Sequence, residues 1–227
     1  MKRKLLYFLA ISCIVISTAF LWAFPPNPQT VLKEGDIIFQ TSQSRQSKFI
    51  VWATHSLKTH CGIIVEKGGR QYVLEASNVV KLTPVKDFVN RGLYKKYQVY
   101  RYTEKPVKIS YRQYLGRTYD SEFSWTDKQY YCSELVWKIY KNQLGVELCS
   151  PSPLAEYTTL GLENEMKRWG ISKQSLFVTP SDIAGSYNIF RLRQNKAKKY
   201  DEERGIIRDE DGYSHYIVNR RTLWYLQ

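Results

Sequence analysis

The hydrophobic positions of the chain fall into short runs separated by glycine, proline and charge. After an uncharged, mostly apolar stretch from Leu5 to Phe24, the first run is Gly35-Asp36-Ile37-Ile38-Phe39, which reads as a short buried strand. Ser44 to Ala53 carries Phe49, Ile50 and Trp52 behind a serine-rich entry and reads as a capped helix. His60 to Glu66 and Gln71 to Ala76 read as two strands joined at Gly68-Gly69, a hairpin signal. A further strand is expected over Val79 to Leu82. A short helix is expected from Pro84 to Arg91, with the proline in its first turn. Tyr97 to Tyr102 alternates as a strand, and Pro106 to Leu115 suits a helix closed by Gly116. Arg117 to Tyr131 is aromatic and polar and reads as a surface loop. In Cys132 to Leu144, Leu135, Val136, Ile139, Tyr140 and Leu144 share one helical face, and Gly145 ends the helix. Val178 to Ile183 reads as a turn entering a helical turn, and Ser186 to Leu192 as a final strand. From Arg193 onward the chain is highly charged.

This pattern divides the 227 residues into four parts: a leader at 1–24, a linker at 25–34, one α+β domain at 35–192 and a charged extension at 193–227. The leader opens with Lys2, Arg3 and Lys4 and is stopped by Pro25, Pro26 and Pro28. Its length suits either a cleaved secretory signal, with Ser17-Thr18-Ala19 as a small-x-small site, or an uncleaved membrane anchor. Both layouts put the rest of the chain outside the bacterial cytoplasm, in the periplasm or cell envelope.

The net charge of +13 draws an exported protein toward anionic envelope surfaces. The chain carries no nucleic-acid-binding motif, and export argues against such a partner. Of four cysteines, only Cys61, Cys132 and Cys149 lie beyond the leader, so an odd thiol is expected. The spacing is neither a disulfide framework nor a CxxC zinc motif. His55, His60 and Cys61 are too close together along the chain to make a convincing metal set, so neither metal nor cofactor is expected.

Cys132 stands at the first turn of an amphipathic helix, where free backbone N–H groups favour thiolate over thiol. The same N–H groups can hold the oxyanion formed when a carbonyl is attacked. Taken alone, a lone cysteine is more often a small core residue. There are three histidines, at 55, 60 and 215. His60 opens a strand, where its ring can face a helix N-terminus, and is favoured as base over His55. Glu75 lies on the paired strand, from which a carboxylate can fix the tautomer of His60. A solvent-facing strand glutamate is the simpler alternative.

The motifs His60-Cys61-Gly62-Ile63-Ile64-Val65, Tyr72-Val73-Leu74-Glu75-Ala76 and Tyr131-Cys132-Ser133-Glu134-Leu135-Val136 occur in this order. Together with Gly35 to Phe39, Ala53-Thr54-His55-Ser56, Leu115 to Asp120 and Phe123-Ser124-Trp125, they resemble the YiiX-like family of circularly permuted papain-like (NlpC-type) cysteine amidases and peptidases. That family is related to the lecithin:retinol acyltransferase-like branch. The resemblance runs from about Gly35 to Gly145, with a weaker echo at Val178-Thr179-Pro180.

The resemblance implies an antiparallel sheet whose His and Glu strands pack against a Cys-bearing helix. It implies Cys132 as nucleophile, His60 as base and Glu75 as orienting residue, with Tyr119 or Tyr131 near the site. Cys61 departs from the small polar residue more usual after the family's histidine. The implied activity is cleavage of amide bonds in peptides, amino-acid amides or peptidoglycan fragments through an acyl-enzyme. Lipid acyl transfer and non-catalytic envelope binding are the alternatives.

Overall fold

The computed structural model describes residues 32–157 and 160–192, together with the backbone of three short strands beyond them. The leader at 1–24 lies outside the described residues. Among the described residues no helix is long and apolar enough to cross a membrane.

The chain enters at β1 (Ile37–Gln40) and turns into α1 (Arg45–Thr54). The Ser44 hydroxyl caps α1 by accepting from the N–H of Ser47. The strands β2 (His60–Lys67) and β3 (Arg70–Ala76) form the expected hairpin. Gly68 and Gly69 turn it with φ of +58° and +70°, a pair of values that suits glycine and sets the right-handed twist of the ladder. β4 (Val80–Pro84) runs into α2 (Val85–Arg91), and β5 (Tyr97–Arg101) follows. Pro84 is the residue before α2 rather than its first member.

Beyond a long connection come α3 (Cys132–Leu144), the short β6 (Ser152–Pro153), α4 (Glu163–Arg168), β7 (Leu176–Phe177), α5 (Pro180–Ala184) and β8 (Phe190–Leu192). The main sheet has the order β4-β3-β2-β1-β5-β8, and every neighbouring pair in it is antiparallel. The backbone strands β9 (Lys199–Asp201), β10 (Ile206–Arg208) and β11 (Ser214–Tyr216) form a separate antiparallel sheet in the order β11-β10-β9.

Strand alternation gives the main sheet two apolar faces. Ile37, Phe39, Cys61, Ile63, Val65 and Leu74 pack with Leu135, Val136, Ile139 and Tyr140 of α3. Ile38, Ile64, Val73 and Val99 pack on the other face with Phe88 and Val89 of α2. A third cluster joins Phe49, Ile50 and Ala53 of α1 to Phe123, Tyr131, Leu154, Met166, Ile171 and Phe177 at the start of α3. Asp36 is buried and bound by Arg101 through two N–H···O bonds, Nε to Oδ1 at 2.8 Å and Nη2 to Oδ2 at 2.9 Å. Its place in the Gly35–Phe39 motif is therefore structural.

Two expectations are corrected. The segment 106–115 is not a helix; it holds one 3-10 turn at Arg112–Tyr114. Pro106 removes a backbone donor, and Ser110 and Gln143 exchange hydrogen bonds that tie this segment sideways onto α3. The stretch from Arg117 to Tyr131 is irregular but not merely superficial, because Asp120, Phe123, Tyr130 and Tyr131 are buried. Asp120 organises it by accepting from the N–H groups of Glu122 and Ser124 and from the Ser124 hydroxyl.

Candidate active site

The site is assembled where the N-terminus of α3 meets the start of β2. Tyr131 is the N-cap residue and Cys132 the first residue of the helix. The Glu134 carboxylate accepts from the Tyr131 N–H at 3.3 Å and pairs with Lys138 at 2.9 Å. Lys138 also binds the carbonyl of Thr126 and the carboxylate of Asp127, so the approach to Cys132 is tied to its own helix. Cys132 is almost completely buried, at 2% exposure.

His60 and Glu75 lie on adjacent antiparallel strands. The register pairs Ile63 with Leu74, which puts Glu75 opposite Gly62 and diagonal to His60. Nε2 of His60 and Oε2 of Glu75 are 2.6 Å apart. Gly62 makes that diagonal possible: a Cβ there would come within 2.4 Å of Val73 Cγ1 and 2.7 Å of the Leu74 carbonyl oxygen. Phe88 stacks against the imidazole with ring centroids 5.6 Å apart.

The other carboxylate oxygen of Glu75 accepts from Thr83 Oγ1 and from Arg91 Nη2, each at 2.5 Å. Neither Thr83 nor Arg91 stands out in the sequence. The Thr83 position follows from the β3–β4 register, which puts it diagonal to Glu75 on the other side. Arg91 depends on how α2 folds over the sheet, which the sequence does not spell out.

With Nε2 committed to Glu75, Nδ1 is the imidazole nitrogen left for the thiol. Cys132 lies in the same buried cluster as Cys61, and both His60 and Cys61 act on the ionisation of its thiol. These neighbours set the charges. Hydrogen bonding to the Cys61 thiol, opposed by burial and aided by the bond and charge of His60, holds the Cys132 thiol well below the ordinary cysteine range. Burial alone would push His60 down, yet the bonds and charges of Cys132 and Glu75 carry it up to about 9. Burial likewise opposes ionisation of Glu75, but His60, Arg91 and Thr83 bring its carboxyl down to about 2. These directions favour a thiolate, an imidazolium and a carboxylate at Cys132, His60 and Glu75. Cys61 takes the opposite direction: burial, followed by the neighbouring Cys132, pushes its thiol well up.

The two tyrosines separate. The Tyr131 hydroxyl accepts from the Val178 N–H at 3.1 Å, and its ring packs between Phe123 and Phe177. It fastens the α3 N-terminus to the third cluster. Tyr119 is held by its backbone N–H to the Asn78 carbonyl, and its hydroxyl lies in the field of Cys132 and Cys61; burial, then these neighbours, pushes it well up. Cys132 acts on both hydroxyls; that of Tyr131 is engaged with Val178, whereas Tyr119 packs against the cluster that holds the thiol. His55 ends α1 in a left-handed conformation, φ +52°.

An acid–base pair flanking a buried thiolate at a helix start is suited to nucleophilic attack on a carbonyl. Comparison with known proteins gives the same chemical class. Residues 31–192 match the family described as permuted papain-like amidase enzymes, YaeF/YiiX, C92 family. The uncharacterized protein YiiX of Escherichia coli K12 is 42% identical over 211 residues, covering 84% of this chain and 99% of YiiX. A crystal structure described as metalloprotein yiiX, from Escherichia coli O157:H7, superposes with a TM-score of 0.65 at 35% identity, covering 72% of this chain and 97% of that one.

Proposed function

The chain belongs to the YaeF/YiiX family of permuted papain-like amidases, and from that membership we propose that it is a cysteine amidase in which Cys132, His60 and Glu75 carry the reaction. The observation supporting this reading most strongly is the 2.6 Å contact of Glu75 with His60, the histidine whose charge helps to hold down the Cys132 thiol.

The Cys132 thiolate attacks the carbonyl carbon of the amide. A C–S bond forms, and the carbonyl electrons move onto oxygen. The N–H groups of the first α3 turn, which have no i−4 carbonyl within the helix, stabilise that oxyanion, and the Tyr119 hydroxyl adds a donor. The His60 imidazolium protonates the departing amine as the C–N bond breaks, leaving a thioester on Cys132. His60, now neutral, takes a proton from water, whose oxygen attacks the thioester. The acid leaves and the thiolate is restored. Glu75 keeps its charge throughout and holds the imidazole in one orientation.

The substrate class we favour is peptide or amino-acid amides of the cell envelope, including peptidoglycan fragments. A leader of exported type and a net charge of +13 support this reading. The Escherichia coli structure is described as that of a metalloprotein. Among the described residues of this chain, no three His, Cys, Asp or Glu side chains converge to hold a metal ion, so no step is assigned to one.

The test is to incubate the protein with peptidoglycan fragments and, separately, phospholipids, and to look by mass spectrometry for an acyl group on Cys132. A peptidyl adduct that is absent in Cys132→Ala supports the amidase. A fatty-acyl adduct from phospholipid alone moves the assignment to lipid acyl transfer, and no adduct with either contradicts an acyl-enzyme for these two classes.

A further inference from the structure

We propose that Arg91 is a positioning residue of the reaction: as the permanent cation bonded to Glu75, it keeps that carboxylate ionised and aimed at His60 while the imidazole gives up and regains its proton. The proposal rests on the reading of His60 as the proton carrier of the site.

Glu75 is fully buried, and its two oxygens are divided between two sets of partners. Oε2 faces Nε2 of His60 at 2.6 Å, and Oε1 accepts from Thr83 Oγ1 and Arg91 Nη2, each at 2.5 Å. Thr83 is neutral and His60 is charged only while protonated, so Arg91 is the partner whose charge never varies. The guanidinium also lies 5.4 Å from the centre of the Phe88 ring, and that ring stacks on the imidazole. Arg91 thus touches two of the side chains that hold His60 in place.

The fold fixes where this cation sits. Arg91 is the last residue of α2, and the next, Gly92, lies so close to β1 that a Cβ on it would come within 2.4 Å of Gln40 Oε1. Leu93 then donates its N–H to the Thr41 carbonyl at 2.9 Å. Gln40 is the register partner of His60, so the end of α2 is fastened to the strand beside the histidine. The Arg91 side chain keeps 41% exposure, so the guanidinium retains part of its hydration while it neutralises a fully buried carboxylate. Besides the Cys61 and Cys132 thiols, the other ionisable groups on the segments about the pair include Lys58 ahead of β2, Lys81 across β4 from Glu75, and Lys86 and Asp87 of α2; the last three are exposed.

The permanent charge matters at one point in the cycle. When the imidazolium protonates the leaving amine, His60 becomes neutral and Glu75 loses one of its two cationic partners. A carboxylate left in that interior with the Thr83 hydroxyl alone would be strongly disfavoured, and the pair would hold its proton instead. Arg91 removes this penalty. Glu75 stays ionised, and the next proton, from water, goes to the imidazole. Taking the cation away favours the protonated ring over the neutral one. Loss of Arg91 should therefore raise the pH at which His60 gives up its proton, whereas loss of the Glu75 charge lowers it.

The experiment is a proton–nitrogen NMR titration of full-length, histidine-labelled protein, with the His60 signals assigned by their loss in His60→Asn. Wild type is expected to titrate at about 9. Arg91→Met, which keeps an apolar stem over Phe88, should titrate about one pH unit or more higher, as should Arg91→Gln if the methionine variant misfolds. Arg91→Lys, which restores the charge, should return to within about half a unit of wild type. Glu75→Gln should titrate below wild type, and the double variant of Glu75→Gln with Arg91→Met should match Glu75→Gln, because Arg91 acts through the carboxylate. A midpoint unchanged or lowered by loss of the Arg91 charge, or an upward shift that persists in the Glu75→Gln background, would overturn the proposal. If wild-type His60 titrates near the ordinary 6.5, the ionised site of the proposed function fails along with it. If wild type titrates high and Glu75→Gln lowers it while the Arg91 variants do not move, only this inference is lost.

Discussion

Nε2 of His60 lies 2.6 Å from Oε2 of Glu75, and this contact joins neighbouring strands diagonally rather than directly across the ladder. The diagonal leaves Nδ1 of the same ring for Cys132. It also ties the ionisation of the site to Glu75. His60 is carried to about 9 partly by that carboxylate, so the imidazolium needed to protonate the leaving amine persists up to about pH 9 and is lost above it. In Glu75→Gln the alkaline limb of kcat/KM should move down toward the ordinary histidine value of 6.5. Activity at pH 8 should fall about ten- to a hundredfold, since the protonated fraction of the ring drops about tenfold for each pH unit above its pKa. An alkaline limb unchanged in the variant would remove Glu75 from the mechanism.

The same carboxylate has a stability signature. Its folded pKa is about 2 against an ordinary 4.5, so its stabilising contribution is fully present above 4.5 and lost as pH falls toward 2. The melting temperature of wild type should therefore drop more steeply between pH 4.5 and 2 than that of Glu75→Gln. Parallel curves for the two proteins would contradict the buried, ionised state.

Gly62 is required by close approach. A methyl group there meets Val73 at 2.4 Å and the Leu74 carbonyl at 2.7 Å, in the ladder that aligns His60 with Glu75. Gly62→Ala should destabilise the fold by about 1–3 kcal/mol, the usual cost of overpacking a well-filled interior. It should also lower activity at temperatures where the protein is fully folded. Denaturant unfolding and an activity assay on the same preparation test this, and a variant that is wild type in both would mean that the strands yield freely.

Tyr119 and Tyr131 should respond differently to loss of a hydroxyl. Tyr131→Phe leaves the buried Val178 N–H without its acceptor and should cost about 1–3 kcal/mol of stability. Tyr119→Phe should leave stability nearly unchanged and lower kcat about tenfold or more, as expected for one lost oxyanion donor. Reversed results would exchange the two roles.

Much of this site could be read from the sequence because its groups sit on strongly patterned elements. The period-two strands around Gly68-Gly69 fix the register, and the register brings Glu75 beside His60. The apolar stripe of Cys132–Leu144 and the glycine at 145, with φ +67°, place Cys132 at a helix start. What the pattern misses is long-range. Arg91 reaches Glu75 only through the docking of α2, and the choice between the tyrosines depends on how the 117–131 segment folds inward. Lys138 contributes there by placing its ammonium over the Trp125 and Tyr130 rings. The failed helix at 106–115 shows the same limit, because its polar groups are satisfied by α3 rather than by local turns.

The central claim, that Cys132 is a thiolate activated by His60, is most directly tested by the pH dependence of iodoacetamide alkylation at Cys132, followed by peptide mass spectrometry. The account predicts that labelling remains rapid well below pH 9 in wild type, and that His60→Asn slows it at pH 7 by about tenfold or more, because the thiolate fraction falls about tenfold for each unit by which the thiol pKa rises above the pH. Labelling that rises only above about pH 8 in both proteins, as for an unperturbed thiol, would contradict it.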